Sequence, residues 1–316
     1  MSARAVAATT LAIALTRFAR VSPGRASDLL LSAPPDALED DGHAVEWFNE
    51  HHATVESRLS LADWESAAKI AELTRGAGIA AIPIGDESYP AYLSAIQDPP
   101  PVLYVKGNLE LLRRPAGVAI VGTRKASPNG IIIAERISKY FAEADWTVVS
   151  GLAMGIDAAA HRGALNARGA TIAVLAHGLR SASPKINSHL GSEILESGGA
   201  WVSEYPIDVP AKPEQFVLRN RIQIGLSAGS IIVEGEERSG TMTQAEFCLR
   251  NKRKLFAVLP DKIDTLKLVA TGPLILVNKR GATPLRSKED YAAALNSMET
   301  VRSSMASAGM RSSISD

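Results

Sequence analysis

From Ile79 to about residue 290 the sequence alternates short apolar runs with stretches of helical spacing, and this alternation restricts the fold more than any other feature. The runs cover residues 80–84, 117–121, 146–150, 171–176, 200–203, 230–233 and 254–259, with helical patterning near 130–144, 154–167, 187–196, 219–227 and 243–251. Strands that are apolar throughout, rather than on every second residue, are buried on both faces, and helices between them supply the cover. The expected fold class is α/β, with a doubly wound, mostly parallel sheet.

Residues 1–78 lack this alternation and read as a small helical module. Leu11, Leu15 and Phe18 share one face of a first helix, a turn at 21–24 leads to a short second one, and Pro34-Pro35 breaks the pattern before the acidic Glu39-Asp40-Asp41. Trp64, Ala67, Ala68 and Ala71 mark a further helix that Gly76 ends. No small-residue cleavage site follows the apolar start, so a helix is expected there and not a leader peptide. Beyond residue 295 the chain is rich in Ser, Met and Ala without a core pattern, which predicts a loose tail over 296–316. The expected division is therefore 1–78, 79–295 and 296–316.

A hydrophobic fraction of 46% excludes a disordered chain. The net charge is zero, but residues 1–83 carry −4 and the remainder +4, so the two regions differ in character. A single cysteine, Cys248, excludes a disulfide framework and a thiolate zinc site and points to a reducing, cytoplasmic setting. The six histidines show no metal-ligand spacing, and no apolar run is long enough to span a membrane.

In such a sheet ligands lie at the carboxyl ends of the strands, so the residues following each strand are the informative ones. Gly122, Thr123, Arg124, Lys125 and Ser127 follow one run, Ser150, Gly151, Gly155 and Asp157 another, and Ser239, Gly240 and Thr241 a third. Glycine permits close backbone approach and the hydroxyls and N–H groups donate, so three such loops converging predict a pocket for phosphate, from a nucleotide or from a nucleic-acid backbone. Phe216, Arg219, Asn220 and Arg221 form a further segment that either grips phosphates and stacks a base or pairs structurally with Glu204 or Glu234. Gly225-Leu226-Ser227-Ala228-Gly229 spells a hydrolase elbow but precedes a strand instead of following one, and no G-x-G-x-x-G occurs. Asp157 and His161, four apart on one helix, lack an accompanying oxyanion device and read as packing and capping groups.

Taken in order, the motifs resemble those of the DNA-processing protein A (DprA, or Smf) family. They are Tyr89-Pro90, Asp98-Pro99-Pro100, the run Val121 to Ser127, the run Ser150 to Asp157, Ser203-Glu204-Tyr205-Pro206, Arg219-Asn220-Arg221-Ile222, Glu234 and Ser239-Gly240-Thr241. The resemblance implies a Rossmann-like domain that binds single-stranded DNA without base specificity, dimerises, and loads the RecA recombinase during natural transformation, with no catalytic role and no cofactor. It places DNA contacts on Arg124, on Lys185 and Asn187 of Ser183-Pro184-Lys185-Ile186-Asn187, and along the glycine loops. The chain departs from the family pattern at Ala176-His177, Ser183, Gln244 and Leu259-Pro260. The same broader fold includes phosphoribohydrolases with a G-G-x-G-T-x-x-E loop, which sets out the alternative of a nucleotide-processing enzyme. Gln244 stands at that glutamate's place, so the acid–base group of such an enzyme is missing there.

Overall fold

The computed structural model describes residues 3–38 and 41–312. Glu39 and Asp40 of the acidic cluster and the last four residues of the expected tail lie outside them. Four helices come first, α1 (Ala3–Arg17), α2 (Pro23–Ser32), α3 (Asp41–His51) and α4 (Leu61–Gly76). Local chemistry sets their ends: Pro23 opens α2, and α4 begins at a capping box in which Ser60 Oγ accepts from Asp63 N–H (3.2 Å) and Ser60 N–H donates to Asp63 Oδ2 (2.9 Å).

The chain then builds β1 (Ala80–Pro83), α5 (Ala91–Ser94), β2 (Val102–Gly107), β3 (Gly117–Val121), α6 (Pro128–Glu143), β4 (Val148–Ser150), α7 (Ile156–Asn166), β5 (Thr171–Val174), α8 (Ser188–Glu196) and β6 (Ala200–Ser203). It continues through α9 (Pro213–Leu218), α10 (Asn220–Gly225), β7 (Ser227–Ile232), α11 (Gly240–Arg250), β8 (Lys254–Val258), α12 (Ile263–Leu266), α13 (Thr271–Arg280), β9 (Thr283–Leu285) and α14 (Asp290–Ser312). The strands form one sheet in the order β1-β2-β6-β5-β4-β3-β7-β8-β9. Every pairing from β6 to β9 is parallel, and β1 and β2 attach antiparallel at one edge. The architecture is the expected Rossmann-like α/β one. Two strands carry no run of their own in the sequence pattern: β2 lies behind Pro99-Pro100-Pro101, and β9 is three residues long with a proline at its centre.

The N-terminal helices are present, but they share a core with the sheet. Leu11 and Leu15 of α1 and Trp64 of α4 belong to one buried cluster with Ile82 of β1, Leu103 of β2 and Val202 of β6. A second core joins Ile120, Ile137, Phe141, Trp146, Ile231 and Phe256 to residues of α14.

The expectation of a loose tail from residue 296 is corrected here, because α14 runs on to Ser312. Tyr291, Ala294, Met298, Val301 and Met305 fall three and four apart along one stripe, Met298 is fully buried, and the Arg302 guanidinium stacks 4.4 Å over the Trp146 ring. A stripe made largely of Ala, Met and an arginine stem is weakly apolar as sequence, yet it covers the sheet well.

His161, on α7, is wholly buried, and its Nδ1 meets Thr171 Oγ1 at 2.7 Å while that hydroxyl donates to Val148 O (2.9 Å). Burial, with Arg219 and Arg162 nearby, pushes its pKa down from 6.5 to about 3. The unfolded chain therefore takes up the proton first, and stability is lost as pH falls from about 6.5 towards 3. Between pH 7 and pH 5 this group should remove about 2 kcal/mol of unfolding free energy. Urea melts should show that part of the drop missing in His161→Gln.

Candidate functional site

The winding of the sheet reverses at β3. The chain travels outward from it through β4, β5 and β6 on one side, then crosses back to set β7 against its other edge. At such a point neighbouring loops leave the strand ends in opposite directions and a crevice opens between them. A cleft of about 560 Å³ lies there, walled by the β3–α6 loop, the β4–α7 loop, the α9–α10 segment and the β7–α11 loop. Of the expected site residues, Gly122, Thr123, Arg124, Lys125, Asp157, Phe216, Arg219, Asn220, Ser239, Gly240 and Thr241 line it.

Three helices begin beside this edge, and their first turns are satisfied in different ways. At α6, Ser127 Oγ accepts from Gly130 N–H (2.9 Å) and donates to Glu234 Oε1 (2.7 Å), while Ser127 N–H donates to Glu234 Oε2 (2.9 Å). Val269 N–H donates to the same carboxylate (2.9 Å), and Glu234 is wholly buried. The protein's own anion thus fills the start of α6. At α7 the carboxylate is Asp157, which faces the Ala153 and Gly122 backbone and Arg219. Gly155 leads into this helix at φ 78°, ψ −125°, and a side chain there would strike the Thr123 and Arg124 carbonyls. At α11, Ser239 makes no side-chain cap, and its hydroxyl donates to Glu236 O (2.7 Å). The Gly240 and Thr241 N–H groups take no partner among the described residues.

The floor is polar and buried. The Arg219 guanidinium occupies the space that the missing side chain of Gly151 leaves, and its Nη1 donates to Val174 O (3.1 Å). In the amide orientation that satisfies its neighbours, Gln223 accepts from Gly151 N–H (2.9 Å) and Arg219 Nη1 (2.6 Å) and donates to Gln244 Oε1 (3.1 Å). Burial pushes the Asp157 carboxyl up from its ordinary value, opposed first by Arg219 and then by the Ala153 and Gly122 backbone. Burial likewise pulls Arg219 down, with Asp157 opposing and Arg124 assisting. At the lip, Arg124 is exposed and stacks 5.0 Å over the Phe216 ring, with no hydrogen-bond partner among the described residues. Lys125 is exposed beside it, its backbone N–H held by Thr123 Oγ1 (3.2 Å).

The remaining expected residues are placed elsewhere. Ser127, Ser150, Gly151 and Gly155 lie beneath the loops and hold their shape, as described. Asn187 is buried and donates to Leu152 O (2.8 Å), while Lys185 is exposed outside the cleft walls. Arg221 faces the opposite way from the DNA contact expected of it. Its Nη1 and Nη2 each meet a Glu204 oxygen at 2.6 Å, its Nε donates to Asp98 O (2.8 Å), and its Nη1 also reaches Leu218 O (3.0 Å). Both side chains of this pair are at least 96% buried, so the structural alternative for Arg221 is the one adopted. Gln223, Gln244 and Glu236 line the cleft without having been expected to. Spacing hints at two of them, Gln223 being one turn after Arg219 and Gln244 one turn after Gly240.

Fold and site together define a Rossmann-like protein with a cleft walled by glycine loops at its topological switch point. The profile of the family described as DNA recombination-mediator protein A matches residues 80–296, more than half of the chain, and the chain belongs to that family. It is 37% identical over 216 residues to the DNA processing protein DprA of Bacillus subtilis, covering 68% of this chain and 71% of that protein. Against two further curated relatives the matched segment spans 54% and 53% of their length. The X-ray structure of DprA from Streptococcus pneumoniae superposes with a TM-score of 0.64 at 34% identity, over 75% of this chain and 83% of that one. DNA processing protein A of Helicobacter pylori, described for its single-stranded DNA binding mode, gives 0.61 at 27% identity, over 69% and 96%.

The two exposed-looking arginines of the sequence should separate in a stability assay. Arg221→Met strands the buried Glu204 carboxylate and should cost about 3–5 kcal/mol in urea unfolding. Arg124→Met, at the lip, should cost less than about 0.5 kcal/mol.

Proposed function

We propose that this chain binds single-stranded DNA along the switch-point cleft, without base specificity, and delivers the strand to a RecA-type recombinase. The observation that carries the reading is Arg124: a guanidinium with no hydrogen-bond partner among the described residues, stacked on Phe216 at the mouth of a cleft formed by glycine loops. A cation paired with an aromatic face suits a flexible strand, because the phosphate meets charge and any base has a π-face to stack. Lys125 adds a second phosphate contact, and Lys185 a third further along the same strand-end edge. The family and the Helicobacter pylori relative support the choice of ligand. Recombinase delivery, action in transformation and homodimerisation rest on the family resemblance.

A nucleotide-processing enzyme fits the cleft less well. Gln244 is neutral and buried, with its oxygen taken by Gln223, so it cannot serve as the general acid or base.

Fluorescence anisotropy with labelled oligo-dT over a salt series, against duplex of equal length, tests the reading. Tight, salt-sensitive binding to the single strand is expected. Arg124→Glu should weaken it at least tenfold and lower the log–log salt slope by about 0.7, with an unchanged melting curve. Full affinity in a folded Arg124→Glu variant would refute the assignment. Light scattering at micromolar concentration should give a dimer mass, and a monomer alone would remove that part of the proposal.

A further inference from the structure

Beneath the lip the cleft continues to a floor whose donors exceed its acceptors. The first turn of α11 opens on it, with the Gly240 and Thr241 N–H groups unpartnered among the described residues and no side chain capping them. Asn220 Nδ2, donating to Gly240 O (3.2 Å), ties α10 to that turn and fixes where it points. Independently, two buried side chains lining the same cleft each keep a donor unused. Arg219, 5% exposed, leaves Nε without a partner, and Gln244, 1% exposed, leaves Nε2 without one. Gln223 cannot absorb them, since its oxygen is already shared between Gly151 N–H and Arg219 Nη1. Buried donors without acceptors are costly, and the start of a helix favours negative charge, so both features point to an anionic group.

We propose that this floor is a phosphate-monoester subsite, holding the terminal phosphate of a strand or of a nucleoside monophosphate in preference to an internal phosphodiester. The inference rests on the nucleic-acid reading of the same cleft. An internal phosphodiester carries one charge and two free oxygens, and its chain must leave in both directions, which keeps it at the lip beside Arg124. A monoester carries a charge of about −1.5 to −2 at pH 7 and three free oxygens. With only one ester link it can descend to Gly240, Thr241 and Gln244. The charged groups facing the cleft are Arg124, Lys125, Arg219, Asp157 and Glu236. Asp157 is already opposed by Arg219, and the exposed Glu236 lies at the rim, where solvent screens it. The first turn of α11 therefore presents uncompensated N–H donors to whatever enters, and Arg219 Nε and Gln244 Nε2 lie buried at the cleft, each without an acceptor.

The test compares labelled dT12 bearing a 5′-phosphate, a 3′-phosphate or hydroxyls at both ends, with dTMP and thymidine as competitors. At least one phosphorylated strand should bind fivefold or more tightly than the hydroxyl-ended one, with dTMP displacing it where thymidine at equal concentration does not. In Gln244→Met the advantage should collapse to within twofold with the melting curve retained, and Thr241→Val gives the same reading if Gln244→Met fails to fold. Displacement by dTMP without any strand-end advantage would support the monoester chemistry and assign it to a free nucleotide. Equal binding of all three strands, with dTMP no better than thymidine, would overturn the subsite while leaving strand binding intact. Failure of every strand to bind would overturn the strand-binding reading as well.

Discussion

The buried carboxylate of Glu234 is the interaction on which the geometry of the cleft depends. It stands at the end of β7, accepts from the backbone and hydroxyl of Ser127 at the start of α6, and accepts from the Val269 backbone ahead of α13. Its own carbonyl takes the Thr123 N–H (2.9 Å), so one residue joins the loops on both sides of the switch point. A buried charge survives only when its hydrogen-bonding capacity is used, and here the helix start and three donors use it. The consequence is functional, because the first turn of α6, which follows the loop bearing Arg124, is closed to an external anion.

The same accounting sorts the other polar residues. Arg221 and Glu204 form a bidentate pair that Asp98 and Leu218 complete, His161 and Thr171 share a bond inside the sheet layer, and Asp157 is opposed by Arg219. These groups rigidify the scaffold. What stays unpartnered beside the cleft is the Arg124 guanidinium at the lip and the first turn of α11, with Arg219 Nε and Gln244 Nε2 buried.

The helices outside the sheet domain contribute to the same body. Leu11, Leu15 and Trp64 complete the core at the antiparallel edge, and α14 seals the second core through Met298 and the Arg302–Trp146 stack. Neither contributes a residue to the walls of the cleft. Among the described residues no helix is long and apolar enough to cross a membrane.

Much of this protein was legible in one dimension. The apolar runs determined a doubly wound parallel sheet, because only burial on both faces tolerates strands without polar alternation, and the loops after β3, β4 and β7 marked the cleft because ligands gather at strand ends. The motif order carried the family. Tertiary structure alone decided which polar residue faces which way. Arg219 and Arg221 are two apart on one turn, so one lies in the floor of the cleft and the other turns to Glu204, seventeen residues away in sequence. It alone decided that Ser127 caps a helix instead of meeting a ligand, since that depends on Glu234 arriving from another strand. It alone made a helix that continues to residue 312 and packs as far as Met305, where a stripe of Ala, Met and Arg is apolar only against Trp146 and its neighbours. Spacing along a chain fixes which residues share a face, whereas partners are set by contacts between segments far apart in sequence.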